Sequence, residues 1–200
     1  MARLTIPVHL RWSDVDGYQH VNNAKMFTIL EETRIAAFWA STPGDALMEG
    51  ARAGGDTGVD DPTAAEADRD PDEGETGPVA PPAAAAANGT PGTKVLATGP
   101  GSGTNTYIAR QEIEYLAPLP YTLKPLQVQL WISHLGGASI DICYEIPGPD
   151  GIAVRAMTTL VLIDEASGKP RRMTEQERAT WAPYLDEPVR FRRRPRDTDA

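Results

Sequence analysis

The sequence predicts an α+β fold: a strand, one long amphipathic helix, four consecutive antiparallel strands whose inner face that helix can cover, and a short final helix. Three observations predict it. Four segments carry the alternation of apolar and polar residues expected of half-buried strands, and a fifth, Ile152 to Asp164, is the longest and most apolar. One segment repeats its apolar residues at helical spacing. The last four strand segments follow one another across turn signals, which suits antiparallel neighbours.

The elements follow in chain order. Leu4, Ile6, Val8, Leu10 and Trp12 alternate, so Leu4 to Trp12 reads as a strand. Ser13 to Asn23 is polar and turn-rich. Met26, Ile29, Leu30, Thr33, Ala37 and Ala40 then recur at helical spacing, with Asn22 or Asn23 as N-cap. Ser41-Thr42-Pro43-Gly44 stops that helix. Tyr107 to Leu116 alternates and is broken by Pro118 and Pro120. Leu126 to Leu135 and Ser139 to Ile146 flank Gly136-Gly137, a two-residue hairpin signal. Ile152 to Asp164 follows the turn cluster Pro147 to Gly151. Thr174 with Glu177 is a capping box that opens a short helix to about Leu185.

Composition splits the chain. Of its 200 residues and net charge of −9, the stretch 41–105 holds 11 acidic and 3 basic side chains, so the rest is nearly neutral. The same stretch has 12 of the 18 Gly, 8 of the 18 Pro and no Phe, Trp or Tyr. Burial there cannot offset the backbone entropy of ordering, about 1–2 kcal/mol per residue. It reads as a disordered, dispensable acidic insertion at 42–104 within one domain spanning 1–187, followed by a basic flexible tail at 188–200. No run of about 18 apolar residues suggests a membrane span. Met1 leads into alternating residues without a signal-peptide core. Cys143 is the only cysteine, which rules out an intrachain disulfide and fits a reducing cytoplasm. The near-neutral folded part does not look like a nucleic-acid binder.

The stretch Trp12-Ser13-Asp14-Val15-Asp16-Gly17-Tyr18-Gln19-His20-Val21-Asn22-Asn23 carries the chemistry. It brings two carboxylates, one imidazole and two amides to a helix N-terminus, where unpaired N–H groups and partial positive charge are available. One such donor is worth about 3–4 kcal/mol to a developing oxyanion. A carboxylate facing the same space can act as base or nucleophile. The set suits acyl transfer. Plainer readings stand beside it. Asp-x-Asp before a helix is common in turns, and Asn-Asn caps helices anywhere. Asp14, Asp16 and His20 could hold a metal, although spacing supplies no further ligand.

The segment Arg11-Trp12-Ser13-Asp14-Val15-Asp16-(x)3-His20-Val21-Asn22-Asn23, with Leu30-Glu31-Glu32-x-Arg34 on the helix, resembles the hotdog-fold acyl-CoA thioesterases. The branch is the one containing 4-hydroxybenzoyl-CoA thioesterase and bacterial long-chain acyl-CoA thioesterases. Ile113 to Leu119 resembles the family's second strand, which ends in Tyr-x-x-Pro-Leu. The Gly136-Gly137-Ala138-Ser139 hairpin and the Val161 to Asp164 strand end also match. The resemblance implies the hotdog fold, a five-stranded antiparallel sheet wrapped around the one long helix, and a homodimer or homotetramer with the acyl-CoA substrate at the subunit interface. It makes Asp16 the catalytic carboxylate, as nucleophile or base, and the backbone N–H of Asn23 the group that polarises the carbonyl. It implies hydrolysis to free acid and coenzyme A, with no metal or redox cofactor. One departure is Gln19, where the family usually has Gly before His. The insertion is another.

Other residues carry two readings each. His20 orients Asp16 or lines the thioester pocket, or else closes the turn. Tyr18 and Asn22 in the loop, and Ser139 after the hairpin, are expected to contact substrate; Ser139 otherwise starts a strand. Glu31 lies where another hotdog branch keeps a catalytic Glu, but a helix-surface carboxylate is the simpler reading. Arg155, Lys169, Arg171 and Arg172 could meet coenzyme A phosphates, although solvated surface charge suits each better. His9, His134 and Cys143 fall in strand patterns, and Trp131 and Trp181 read as core or interface. The alternative function is a non-catalytic acyl-CoA-binding or assembly protein on the same fold. A hotdog dehydratase fits less well, because the loop motif is not that branch's pattern.

Overall fold

The computed structural model describes residues 2–40 and 93–192. Most of the acidic insertion, and the tail from 193 onward, lie outside the described residues.

Strand β1 spans Leu4–Val8, and the helix α1 spans Asn23–Phe38. Then come β2 (Thr104–Tyr115), β3 (Leu126–Leu135), β4 (Ser139–Gly148) and β5 (Gly151–Asp164). A short helix, α2, spans Glu175–Trp181. The strands form one sheet in the order β1-β3-β4-β5-β2, with every pairing antiparallel. Strand β2 therefore does not form a hairpin with β3. It pairs with β5 at the far edge, and its bulge falls between Ile108 and Arg110.

One face of the sheet and one stripe of α1 share a core. Val128, Leu130, Ile132, Ile140, Ile142, Ala156, Leu160 and Leu162 are buried from the sheet. Met26, Ile29, Leu30, Thr33 and Ala37 are buried from α1 at the spacing the sequence predicts, with Arg34 and Phe38 buried beside them; the helix ends at Phe38, so Ala40, expected on the same stripe, lies past its end and is exposed. The first strand is shorter than its alternation suggests. Past Val8 the chain leaves β3, Leu10 stays buried, and Trp12 in the turn Trp12–Asp14 is 74% exposed. The glycine hairpin is also looser than expected: β3 ends at Leu135 and β4 resumes at Ser139.

Two boundaries read from composition need correction. Residues 93–104 belong to the fold. A helix leaves its last carbonyls without intrahelical donors, and the returning chain supplies them. Leu96 N–H donates to Phe38 O (3.0 Å), and Thr93 Oγ1 donates to Ala37 O (2.7 Å). Leu96 itself is fully buried. Trp181 of α2 completes the cluster, donating from Nε1 to Thr93 O (3.0 Å) and meeting Phe38 edge-to-face at 5.6 Å. The tail assignment likewise starts too early. Val189 is buried against Trp131 and Cys143 on the outer sheet face, and its N–H donates to Cys143 Sγ (3.4 Å).

Helix α2 begins with the capping box expected of Thr174 and Glu177. Burial opposes ionisation of Glu177, but the Arg171 guanidinium at 2.6 Å and the Thr174 N–H outweigh it and hold its pKa below the usual value. Arg171 is thus an ion-paired, largely buried residue that also donates to Thr104 Oγ1, not a solvated charge. Arg155 is likewise paired, with Glu145 at 3.1 Å.

The cluster at the end of α1 gives a direct test. Leu96→Ala should lower unfolding stability by about 2–4 kcal/mol, the usual cost of truncating a fully buried leucine, measured by urea denaturation. A loss under about 1 kcal/mol would show that residues 93–96 do not contribute to the core.

Candidate active site

The loop between β1 and α1 is held by its own backbone. Asp14 Oδ2 accepts the Arg11 N–H (2.8 Å), and Asp14 O accepts the Asn22 N–H (2.8 Å). Asp14 is buried and occupied with this structural task. Val15 bridges Val21, and the Asp16 N–H donates to His20 O (2.9 Å). Residues 16–20 thereby close a tight turn. At its centre, Asp16 Oδ1 accepts the N–H groups of Tyr18 (2.9 Å) and His20 (3.3 Å). Asp16 Oδ2 has no partner among the described residues. One carboxylate oxygen is therefore engaged by the turn, and the other is unengaged among the described residues.

The turn demands an unusual backbone at its fourth residue. Gln19 has φ of +64°, the left-handed region that glycine enters without steric cost. This gives a physical reason why a glycine suits the position before the histidine.

Helix α1 begins immediately after. Asn22 is the N-cap, and its Oδ1 accepts the Ala24 N–H (2.8 Å). Lys25 and Met26 donate to Asn22 O. The Asn23 N–H heads the helix and donates to no acceptor among the described residues. A free N–H at the positive end of a 16-residue helix is suited to an anionic oxygen.

Beside this helix start lies a cavity of about 370 Å³, lined by His20, Val21, Met26, Tyr115, Leu119 and Val154. A second, of about 290 Å³, adjoins it across His20 and Pro118 and reaches the β4–β5 turn at Gly148 to Gly151. His20 contributes to both walls. The first cavity is mainly apolar, with an imidazole and a phenol as its polar groups. Tyr115, the tyrosine of the Ile113 to Leu119 motif, is one of its lining residues, a place that the sequence motif does not disclose. Its hydroxyl donates to the carbonyl of Asn23 at 3.0 Å.

The structure gathers Asp16, His20, Asn22 and Asn23 in one loop and helix start. Tyr18 lies in the same turn and gives its N–H to Asp16 Oδ1, but its side chain is 84% exposed. Within one chain the remaining candidates lie elsewhere. Ser139 pairs with Val161, whereas Tyr115 pairs with Val154, seven residues away along β5. At ~3.3 Å per residue that separation is about 23 Å. Glu31 is exposed and pairs with Arg34 at 3.4 Å. Among the described residues, no group of three His, Cys, Asp or Glu side chains has the arrangement of a metal site.

The strained turn gives the next test. Gln19→Gly should leave stability unchanged or raise it by up to about 1 kcal/mol, the relief of left-handed strain less glycine's greater entropy loss. Denaturant midpoints of the two proteins would measure it. A drop of more than about 1 kcal/mol would mean that the Gln19 side chain holds the turn in a way the backbone geometry does not require.

The sequence matches the thioesterase-like superfamily over residues 10–181. No curated protein matches it significantly. A predicted thioesterase from Bacillus stearothermophilus aligns with a TM-score of 0.58 at 16% identity, covering 94% of this chain and 100% of that one. A thioesterase complexed with coenzyme A and Zn from Thermus thermophilus aligns at 0.52 and 20% identity, covering 94% and 96%. A 1,4-dihydroxy-2-naphthoyl-CoA thioesterase from Synechocystis aligns at 0.53 and 13% identity, covering 90% and 96%. At these identities the structural likeness shows the fold, and that fold is the hotdog. The sequence match spans most of the chain and includes the Asp16 loop, the Asn23 helix start and the whole sheet beyond β1, so this chain belongs to the thioesterase-like superfamily.

Proposed function

We propose that this protein hydrolyses an acyl-CoA thioester to a free acid and coenzyme A. The observation that carries the reading is that one loop and helix start holds both the Asp16 carboxylate, half engaged by loop amides, and the unengaged Asn23 N–H, while their neighbours His20, Val21 and Met26 line an apolar cavity. In this scheme the thioester carbonyl oxygen accepts the Asn23 N–H, and that bond strengthens as negative charge develops. Asp16 Oδ2 takes a proton from water as the water oxygen attacks the carbonyl carbon. Collapse of the tetrahedral intermediate breaks the C–S bond, and the thiolate leaves with the proton Asp16 had accepted. Direct attack by Asp16, through an acyl-enzyme anhydride that water then hydrolyses, fits the same geometry. The scheme calls on no cofactor, because coenzyme A arrives as part of the substrate. The bound coenzyme A in the Thermus thermophilus structure supports this substrate class.

We further propose that the working unit is a dimer joined along β2. This strand is an edge of the sheet, and it exposes Tyr107, Ile108 and Tyr115. A strand of this length with one edge unpaired is a template for another chain. Antiparallel pairing of β2 with its copy would reverse the strand direction. It would bring Ser139 of the partner subunit toward the Asn23 end of this chain, which accounts for a substrate contact that one chain alone keeps distant.

Thioester turnover should be read from thiol release over short, long and aromatic acyl-CoAs. Asp16→Asn should reduce kcat at least about a hundredfold while leaving the fold intact, as expected for loss of a general base. Near-normal turnover in Asp16→Asn would defeat the assignment, and acyl-CoA binding without turnover in the unaltered protein would replace it with a binding function.

A further inference from the structure

We infer that Tyr115 is a positioning residue for the Asn23 amide; this rests on the thioesterase reading above. Tyr115 ends β2, and its hydroxyl crosses to α1 to donate to Asn23 O at 3.0 Å. The two residues are 92 apart in sequence, so the bond ties the sheet edge to the first helical turn. The ring itself lines the cavity with His20, Met26 and Val154.

The first turn of a helix is where fraying begins. On one side the Asn22 side chain restrains it through the Ala24 N–H. On the other, Tyr115 holds the carbonyl of Asn23. Both bonds hold the one peptide unit that follows Asn23, and the preceding unit, which carries the Asn23 N–H, is held through its carbonyl, Asn22 O, by Lys25 and Met26; together they set where that N–H points. An oxyanion donor is useful only within hydrogen-bond distance of the oxygen that gains charge, and small displacements are costly in rate. The effect belongs to the transition state more than to substrate binding. Donation requires the protonated phenol, and burial pushes the Tyr115 pKa above its ordinary value.

Tyr115→Phe, in the full chain and on the best acyl-CoA substrate, keeps the ring and removes the bond. It should lower kcat about 5- to 20-fold and leave KM within about twofold. In amide NMR it should shift the Asn23 resonance and speed hydrogen exchange at Lys25 and Met26. An unchanged kcat, or a raised KM with kcat retained, would overturn the inference and leave Tyr115 as a pocket wall. If the unaltered protein and Asp16→Asn both fail to turn over any thioester, the thioesterase reading falls. The NMR comparison then still decides whether Tyr115 anchors the helix start, and unchanged Asn23, Lys25 and Met26 signals would refute that.

Discussion

A helix cannot satisfy its first N–H groups internally, and α1 meets that constraint almost entirely through Asn22. The Asn22 side chain caps Ala24, its carbonyl receives Lys25 and Met26, and its own N–H goes to Asp14. One residue thus joins the loop to the helix. The Asp14 carboxylate pins the other end of the same loop at Arg11. Between these fixed points the turn 16–20 has little freedom, which explains why it tolerates Gln19 in a left-handed conformation. The amide left over, Asn23 N–H, is free because the cap accepts elsewhere. The candidate site is a consequence of how the helix is started.

The far end of α1 shows the same logic in reverse. Its final carbonyls take donors from Thr93 and Leu96, and Trp181 seals the contact. Both ends of the helix are therefore tied to chain segments distant in sequence. The outer face of the sheet is treated differently. There Trp131, with Arg3 stacked over its ring at 3.8 Å, and Cys143 are covered by the segment around Val189.

Much of this is legible in the sequence because it rests on periodicity. The inner faces of β3 and β4 follow their alternation, although Trp131 and Cys143 are buried on the outer face as well, β5 stands out by its apolar length, and the buried stripe of α1 includes Met26, Ile29, Leu30, Thr33 and Ala37 as their spacing suggests. The Asp16 loop is legible because its residue types are unusual together. What periodicity does not encode stays hidden. Leu96 is a lone large side chain in a Gly- and Pro-rich neighbourhood, and its burial depends on α1 ending beside it. Val189 lies in a basic run whose charge hides one apolar anchor. The partner of β2 is a matter of topology, since local pattern does not say which edge a strand joins. Tyr115 looks like half of an alternation, and its bond to Asn23 exists only once β2 has been placed at that edge. The motif groups Ser139 with the loop, although the sheet sets the two far apart in one chain.

The central claim is that Asp16 and the Asn23 amide flank a single carbonyl. A crystal structure with an acyl-CoA analogue in which CH₂ replaces the thioester sulfur would test it most directly. The ketone oxygen is expected about 3 Å from Asn23 N, the usual N–H···O separation, with Asp16 Oδ2 facing the ketone carbon directly or through one water. A ketone seated away from the helix start, for instance against Glu31, would contradict it.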